Sequence, residues 1–447
     1  MDRIDRMDRP ALVSALVSAL VSALSLSLAV PLTAGGCAEE AAPAEEALLA
    51  EEAQAVGGVI ALRRERVAGD IYHHEFVVAL GGGSNARLHR VVREAAPWVP
   101  RPTAGGAMLL HGDFATFITN FAPGLGDPAS PVAGLAPYLA AQGLDVWGAD
   151  RRWTLATGDV SDFAGMTVAQ ELADLRAALA IARATRAATG QGDARLALVG
   201  FSHGAQLAYA YAAVEGARPL AQRHVGALVP LDFYASFAPE DEALRAQTCE
   251  YAAFEYELVA GGATDAPNDF LIEAGRLART APDADSPLLP GATNRGAMLT
   301  LVGQTYLFAP YAPAYHLAAP ILDGDAATGL AESPEAAITA WLAGATPHQA
   351  MIETADLDAM LCGEAPPIAA PLADIRVPVL YIGAAGGIGS LGVHSTTQVA
   401  SADTTALVVR RFGPERRAED FGHADLLFAE DAPALAWLPL AAWLLHH

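Results

Sequence analysis

Residues 198–211 read LVGFSHGAQLAYAY. Together with the residues just before it, ARLALVG (194–200) has the apolar run of a buried strand. HGAQLAYAYAAVEGA (203–217) reads as a helix. Between them Gly200-Phe201-Ser202-His203-Gly204 has the form Gly-x-Ser-x-Gly. Alone, such a pentapeptide is common. Set between an apolar strand and a helix, it specifies a sharp, strained turn that lifts Ser202 into a cleft. The start of the helix then aims backbone N–H groups at the same place. The plain alternative is an ordinary strand-to-helix loop.

Working outward, the pattern turns to strands from residue 57. VIALRRERV (59–67), YHHEFVVAL (72–80) and ARLHRVVREA (86–95) read as an antiparallel start to a sheet. GGAMLLHGDF (105–114) is a strand entering a loop, VAGLAPYLAAQG (132–143) a helix, and LDVWGAD (144–150) the next strand. MTVAQELADLRAALAIARATR (166–186) is an amphipathic helix, and VGALVPLDFY (225–234) another strand. Alternating strands and helices predict a mostly parallel sheet with helices on both faces. The alternation then stops. Residues 235–376 are mostly helical and irregular text, with Tyr251, Phe254, Tyr256 and the run TYLFAPYAPAYH (305–316). It resumes with VPVLYIGAAGGIGS (377–390), TALVVRRFG (405–413) and a closing helix over 431–447. The expected core is therefore split into 57–234 and 377–447. Residues 235–376 form a cap inserted over the carboxyl edge of the sheet.

With Ser202 in that setting, the chain resembles the α/β-hydrolase family of serine hydrolases. GLDVWGADRR (143–152) and GHADLLFAEDAPALAW (422–437) add a slighter likeness to the acid-lipase branch. The resemblance implies an α/β-hydrolase fold and a Ser–acid–His triad in that chain order. His111-Gly112 lies where the family places an oxyanion donor, so the N–H of Asp113, or that of Phe114, would join the N–H of His203. His423, late in the chain and ahead of a helix, would be the base that makes the serine nucleophilic. His394 is the main rival.

The acid is the open question. The family commonly places it at the end of the strand at 377–383, but GAAGGIGS (383–390) contains no carboxylate. The family's other position is the end of the preceding core strand, and GALVPLD ends there at Asp232. Adjacent parallel strands lie about 4.8 Å apart and overlook one crevice, so an acid one strand over can reach the same imidazole. Asp403, Glu419 and Asp420 compete, and the plain alternative for Asp232 is a helix cap or loop residue. With Asp232 as the acid, residues 383–390 are free to be small and to give room to a substrate or to the cap.

The N-terminus is read as a leader. Arg3, Arg6 and Arg9 precede the apolar stretch 11–31, and LTAGGC ends at Cys37. This resembles a bacterial lipoprotein signal with lipidation at Cys37, although Ala34 stands where that motif prefers Leu. Cleavage without lipid, or an uncleaved anchor, are the alternatives. The Ala/Glu-rich segment 38–56 is a tether. In an exported chain the two remaining cysteines, Cys249 and Cys362, suggest one disulfide tying the cap's exit to its entry, with two free buried thiols as the alternative. Hydrophobic residues make up 53% of the 447 residues, enough for a large core, and a net charge of −24 argues against nucleic-acid binding. No metal motif and no cofactor are indicated. The expectation is an exported hydrolase, periplasmic or at the cell surface and lipid-anchored to the membrane. It would cleave a small hydrophobic ester through an acyl-serine. The same triad also suits an amide, thioester or lactone, and the same fold a non-catalytic binding lipoprotein.

Overall fold

The structure is a computed structural model that describes residues 59–447 except 80–84, 128–129, 157–159, 305–314 and 365. The leader with Cys37, the tether 38–56 and most of the aromatic run 305–316 lie outside the described residues.

Among the described residues, ten strands join in one sheet. In chain order its first eight strands are β1 (Val59–Ala68), β2 (Ile71–Ala79), β3 (Asn85–Ala96), β4 (Val99–Pro100), β5 (Gly105–Leu110), β6 (Leu144–Asp150), β7 (Leu196–Phe201) and β8 (Val225–Leu231). A separate hairpin, β9 (Pro320–Asp323) and β10 (Ala326–Leu330), comes before β11 (Val379–Ala384) and β12 (Thr404–Val409). The spatial order is β1-β2-β3-β6-β5-β7-β8-β11-β12, with β4 paired to β3. The first three strands and the β3–β6 junction are antiparallel, while β6, β5, β7, β8, β11 and β12 run parallel.

Apart from the edge strand β12, the parallel strands are buried on both sides, and their alternating side chains feed two cores. Ala107, Leu109, Val199 and Val229 face one core, shared with the helix Leu135–Ala141 and with Trp437 and Leu440 near the C-terminus. Met108, Leu110, Leu198 and Leu228 face the other, packed by helices Val168–Ala188 and His203–Gly216. Burying each Val, Leu or Met among them contributes about 1.5–3 kcal/mol.

The chain leaves β5, forms β6 on one side of it, then crosses back to form β7 on the other. That reversal opens a crevice at the carboxyl ends of β5 and β7, the place where open parallel sheets bind ligands. The segment after β5 (His111–Phe114) and Ser202 both lie there.

Between β8 and β11 stand the helices Glu242–Ala260, Asp269–Thr280, Asn294–Gly303, Glu335–Ala343 and Met351–Cys362. The β9–β10 hairpin among them was not expected from the sequence. Its strands are short, with few buried positions, so they carry no apolar alternation to read. The insertion also joins the core directly: the N–H of His316 donates to Gly386 O (2.8 Å), and that of Ala424 to Leu317 O (2.7 Å). Cys249 and Cys362 form a disulfide between the first and last of these helices, closing a separation of 113 residues. Closing a loop of this size restricts the unfolded chain, so reducing the bond, or Cys362→Ser, should cost about 2–4 kcal/mol of stability. Thermal melts with and without reductant measure this, and coincident melts would deny the bond a stabilising role.

Candidate active site

Five segments meet at the crevice, and most are shaped by a local steric demand. Ser202 follows β7 directly, with φ 57° and ψ −134°, a strained conformation for a residue bearing a Cβ. The two flanking glycines make that turn possible. A Cβ on Gly200 would stand 2.1 Å from Gly204 O, and one on Gly204 would stand 2.4 Å from Leu110 O. Gly112 is pressed against the serine, where an added Cβ would be 2.9 Å from Ser202 Cβ. Of the four non-glycine residues with positive φ among the described residues, three are Phe114, Ser202 and Asp232. Strain concentrated in this way marks a site that the surrounding fold holds in place.

Asp232 is the first residue past β8, fully buried, with φ 47°. Its Oδ1 accepts the N–H groups of Ala384 (2.7 Å) and Gly389 (2.8 Å). Its Oδ2 accepts the N–H of Ile388 (3.1 Å) and lies 2.7 Å from His423 Nδ1. The loop 383–390 is therefore not free space for a substrate or the cap. It wraps its backbone donors around the carboxylate of the neighbouring strand. A Cβ on Gly387 would fall 2.2 Å from Asp232 Oδ2, so the loop must be small to close on this acid.

His423 is 3% exposed. Its N–H donates to His316 O (3.0 Å), and its ring stacks on Phe201 with centroids 4.6 Å apart. Phe201 precedes the serine, so this stack holds the imidazole beside the turn. Among the described residues the Ser202 hydroxyl makes no hydrogen bond; in unliganded enzymes such bonds commonly tighten only when substrate arrives.

On the other side of the serine, Asp113 and His203 form an ion pair between their side chains. Burial opposes the charge on Asp113, but His203 outweighs it and holds the carboxyl down at about 2. Burial likewise works against an imidazolium at His203, and Asp113 reverses the balance, raising its pKa. Among the described residues the backbone N–H groups of Asp113 and His203 have no acceptor. The N–H of Phe114 does, at Gln349 Oε1 (3.2 Å), so Phe114 is not a free donor in the way its sequence position suggested.

No family model matches this sequence, and no curated protein matches it either. Solved structures do match. A candidate lipase from Sulfolobus solfataricus has a TM-score of 0.55 at 14% identity, over 86% of this chain and 99% of that one. A soluble variant of monoglyceride lipase from Saccharomyces cerevisiae, in complex with a substrate analog, has a TM-score of 0.44 at 11% identity, covering 87% and 94%. An α/β-hydrolase fold protein from Chitinophaga pinensis has a TM-score of 0.40 at 12% identity, covering 86% and 96%. This chain has the α/β-hydrolase fold. At such identities the likeness is one of fold, and the chemistry has to be argued from the side chains.

On this α/β-hydrolase frame, the rival acids are engaged elsewhere. Asp403 lies 2.9 Å from His447 Nε2 near the surface, and Glu419 pairs with Arg416 at 3.1 Å. Asp420 accepts the N–H groups of Arg411 (2.6 Å) and Phe421 (2.8 Å). His394 sits in the short helix Val393–Thr397 after β11. His111 donates from Nδ1 to Gly112 O (2.8 Å) and accepts the Arg151 N–H at Nε2 (3.2 Å). Burial pushes His111 down to about 4, so it stays neutral.

Sequence reasoning missed the residues that support the segment 111–114. Arg151 donates to His111 O (3.0 Å) and pairs with the buried Glu353 (2.7 Å). Gln349 donates from Nε2 to Asp113 Oδ1 (2.7 Å). Arg151 lies in the stretch that carried the weak acid-lipase likeness, whereas Gln349 and Glu353 had no signal at all.

Proposed function

We propose that this chain is a serine hydrolase that cleaves a hydrophobic carboxylic ester. One observation carries the reading: Asp232 Oδ2 lies 2.7 Å from His423 Nδ1, beside a serine in a strained strand-to-helix turn. The carboxylate fixes the proton on Nδ1 and leaves Nε2 as the base. Ser202 Oγ attacks the ester carbonyl carbon while its proton passes to His423 Nε2. The carbonyl oxygen becomes an oxyanion facing the N–H groups of Asp113 and His203. Collapse of the tetrahedral intermediate expels the alcohol, which takes the proton from His423. Water, deprotonated by the same imidazole, attacks the acyl-serine, and the acid is released with Ser202 restored.

The hydrophobic preference rests on an aromatic cluster on both sides of the serine. The Phe233 ring meets His203 edge-on at 5.0 Å, and the Tyr315 ring lies 5.8 Å from that of His423. Tyr234 stacks on Phe233 at 4.8 Å. Export and a lipid anchor at Cys37 belong to the same proposal. They are supported by the leader-like N-terminus and by a disulfide, which persists in oxidising compartments.

The test is a series of p-nitrophenyl esters of increasing acyl length. We expect turnover, with kcat/KM rising about fourfold per added methylene until the acyl site is full. Absence of ester hydrolysis across the series would overturn the proposal.

A further inference from the structure

The oxyanion segment does not stand alone: the cap grips it at three points. Phe114, a non-glycine residue at φ 52°, is held at both of its backbone groups. Its N–H donates to Gln349 Oε1 (3.2 Å), and its carbonyl accepts the N–H of Thr346 (2.7 Å). Gln349 Nε2 donates to Asp113 Oδ1 (2.7 Å), on the carboxylate that pairs with His203. At the start of the segment, Glu353 pairs with Arg151 (2.7 Å), which in turn donates to His111 O (3.0 Å). Gln349 is 1% exposed, and its own backbone is fixed within the cap: its N–H donates to Asp265 (3.1 Å), and its carbonyl accepts the Ala266 N–H (2.8 Å). Gln349 lies 235 residues from Phe114 along the chain, so only the folded cap can deliver it.

A left-handed, side-chain-bearing residue reverts to ordinary backbone unless its surroundings over-determine it. At Phe114 that constraint comes from the cap, and the same Gln349 side chain also holds the neighbouring Asp113, through its Oδ1. We propose that Gln349 is a positioning residue, which anchors Asp113 by its carboxylate and Phe114 by its N–H, and so keeps the Asp113 N–H aimed at the developing oxyanion. The inference rests on the hydrolase reading above. It makes the cap a structural part of the oxyanion hole as well as a cover.

The test uses the full chain with Gln349→Met, which keeps the length but removes both hydrogen-bonding groups. A second variant, Gln349→Glu, keeps an acceptor for Phe114 but sets a carboxylate against that of Asp113, where the two repel. With a p-nitrophenyl ester, Gln349→Met should lose about tenfold to a hundredfold in kcat with KM within about twofold of wild type. A trifluoromethyl ketone, which forms an oxyanion on Ser202, should bind more weakly by the same factor. An unreactive ether of the same chain length should bind as before. Gln349→Glu should lose at least as much as Gln349→Met, and it carries the test if Gln349→Met does not fold. Wild-type kcat in the folded variants would overturn the inference, as would an equal loss of ether affinity, which would reveal a merely structural role. If the wild-type protein hydrolyses no ester, the hydrolase reading fails and this inference with it. Wild-type turnover combined with indifferent Gln349 variants removes this inference alone.

Discussion

Ser202→Ala should lower kcat on an ester by about a millionfold, the scale seen when the nucleophile of a serine triad is removed. The substitution takes away one oxygen. That oxygen makes no hydrogen bond among the described residues, and alanine suffers the same backbone strain at φ 57° as serine, so the fold should be unaffected. KM and the thermal midpoint should therefore stay near wild type while turnover vanishes. Ser202→Gly is a poorer test, because glycine relieves the strain and moves the turn. Steady-state kinetics with a melting curve checks the prediction. Activity within about tenfold of wild type would mean that another group attacks the ester.

Asp232→Asn should cost about ten-thousandfold in kcat, the loss reported when an amide replaces the acid of a serine-protease triad. The geometry gives the reason. The amide oxygen can still accept the Ala384 and Gly389 N–H groups that Oδ1 accepts at 2.7 and 2.8 Å. The amide nitrogen then replaces Oδ2 and becomes a donor facing His423 Nδ1 and the Ile388 N–H. The imidazole must turn Nδ1 into an acceptor and carry its proton on Nε2, where it can no longer take one from Ser202. Asp232→Ala would mix this effect with instability, because three buried N–H groups would lose their acceptor at about 1–3 kcal/mol each. Asp403→Asn is the control: that side chain is 53% exposed and pairs with His447, so turnover should not change. Equal activity in the two variants would refute Asp232 as the acid.

The core was legible because its physics is local. Buried parallel strands must be apolar runs, and the strand-to-helix turn at Ser202 requires Gly200 and Gly204, so both could be read directly from residues 194–217. Asp232 was legible by place, as the first carboxylate after an apolar strand. The purpose of GAAGGIGS was not. Its smallness reads as empty space in one dimension, while in three it lets three N–H groups close on Asp232 with no Cβ in the way at Gly387. Phe114 was open as a donor because a backbone N–H carries no mark of its partner, and that partner, Gln349, sits in an irregular stretch with no period to read. The β9–β10 hairpin was hidden for a related reason: strands with so few buried positions need no apolar alternation.

The central claim is that Ser202 is a nucleophile activated by His423. The most direct measurement is covalent labelling of the folded protein with a fluorophosphonate, followed by mass mapping of the adduct. The account predicts one adduct per chain, on Ser202, and its loss in His423→Ala. Folded wild-type protein that takes no label on Ser202, or labels equally well without His423, would contradict it.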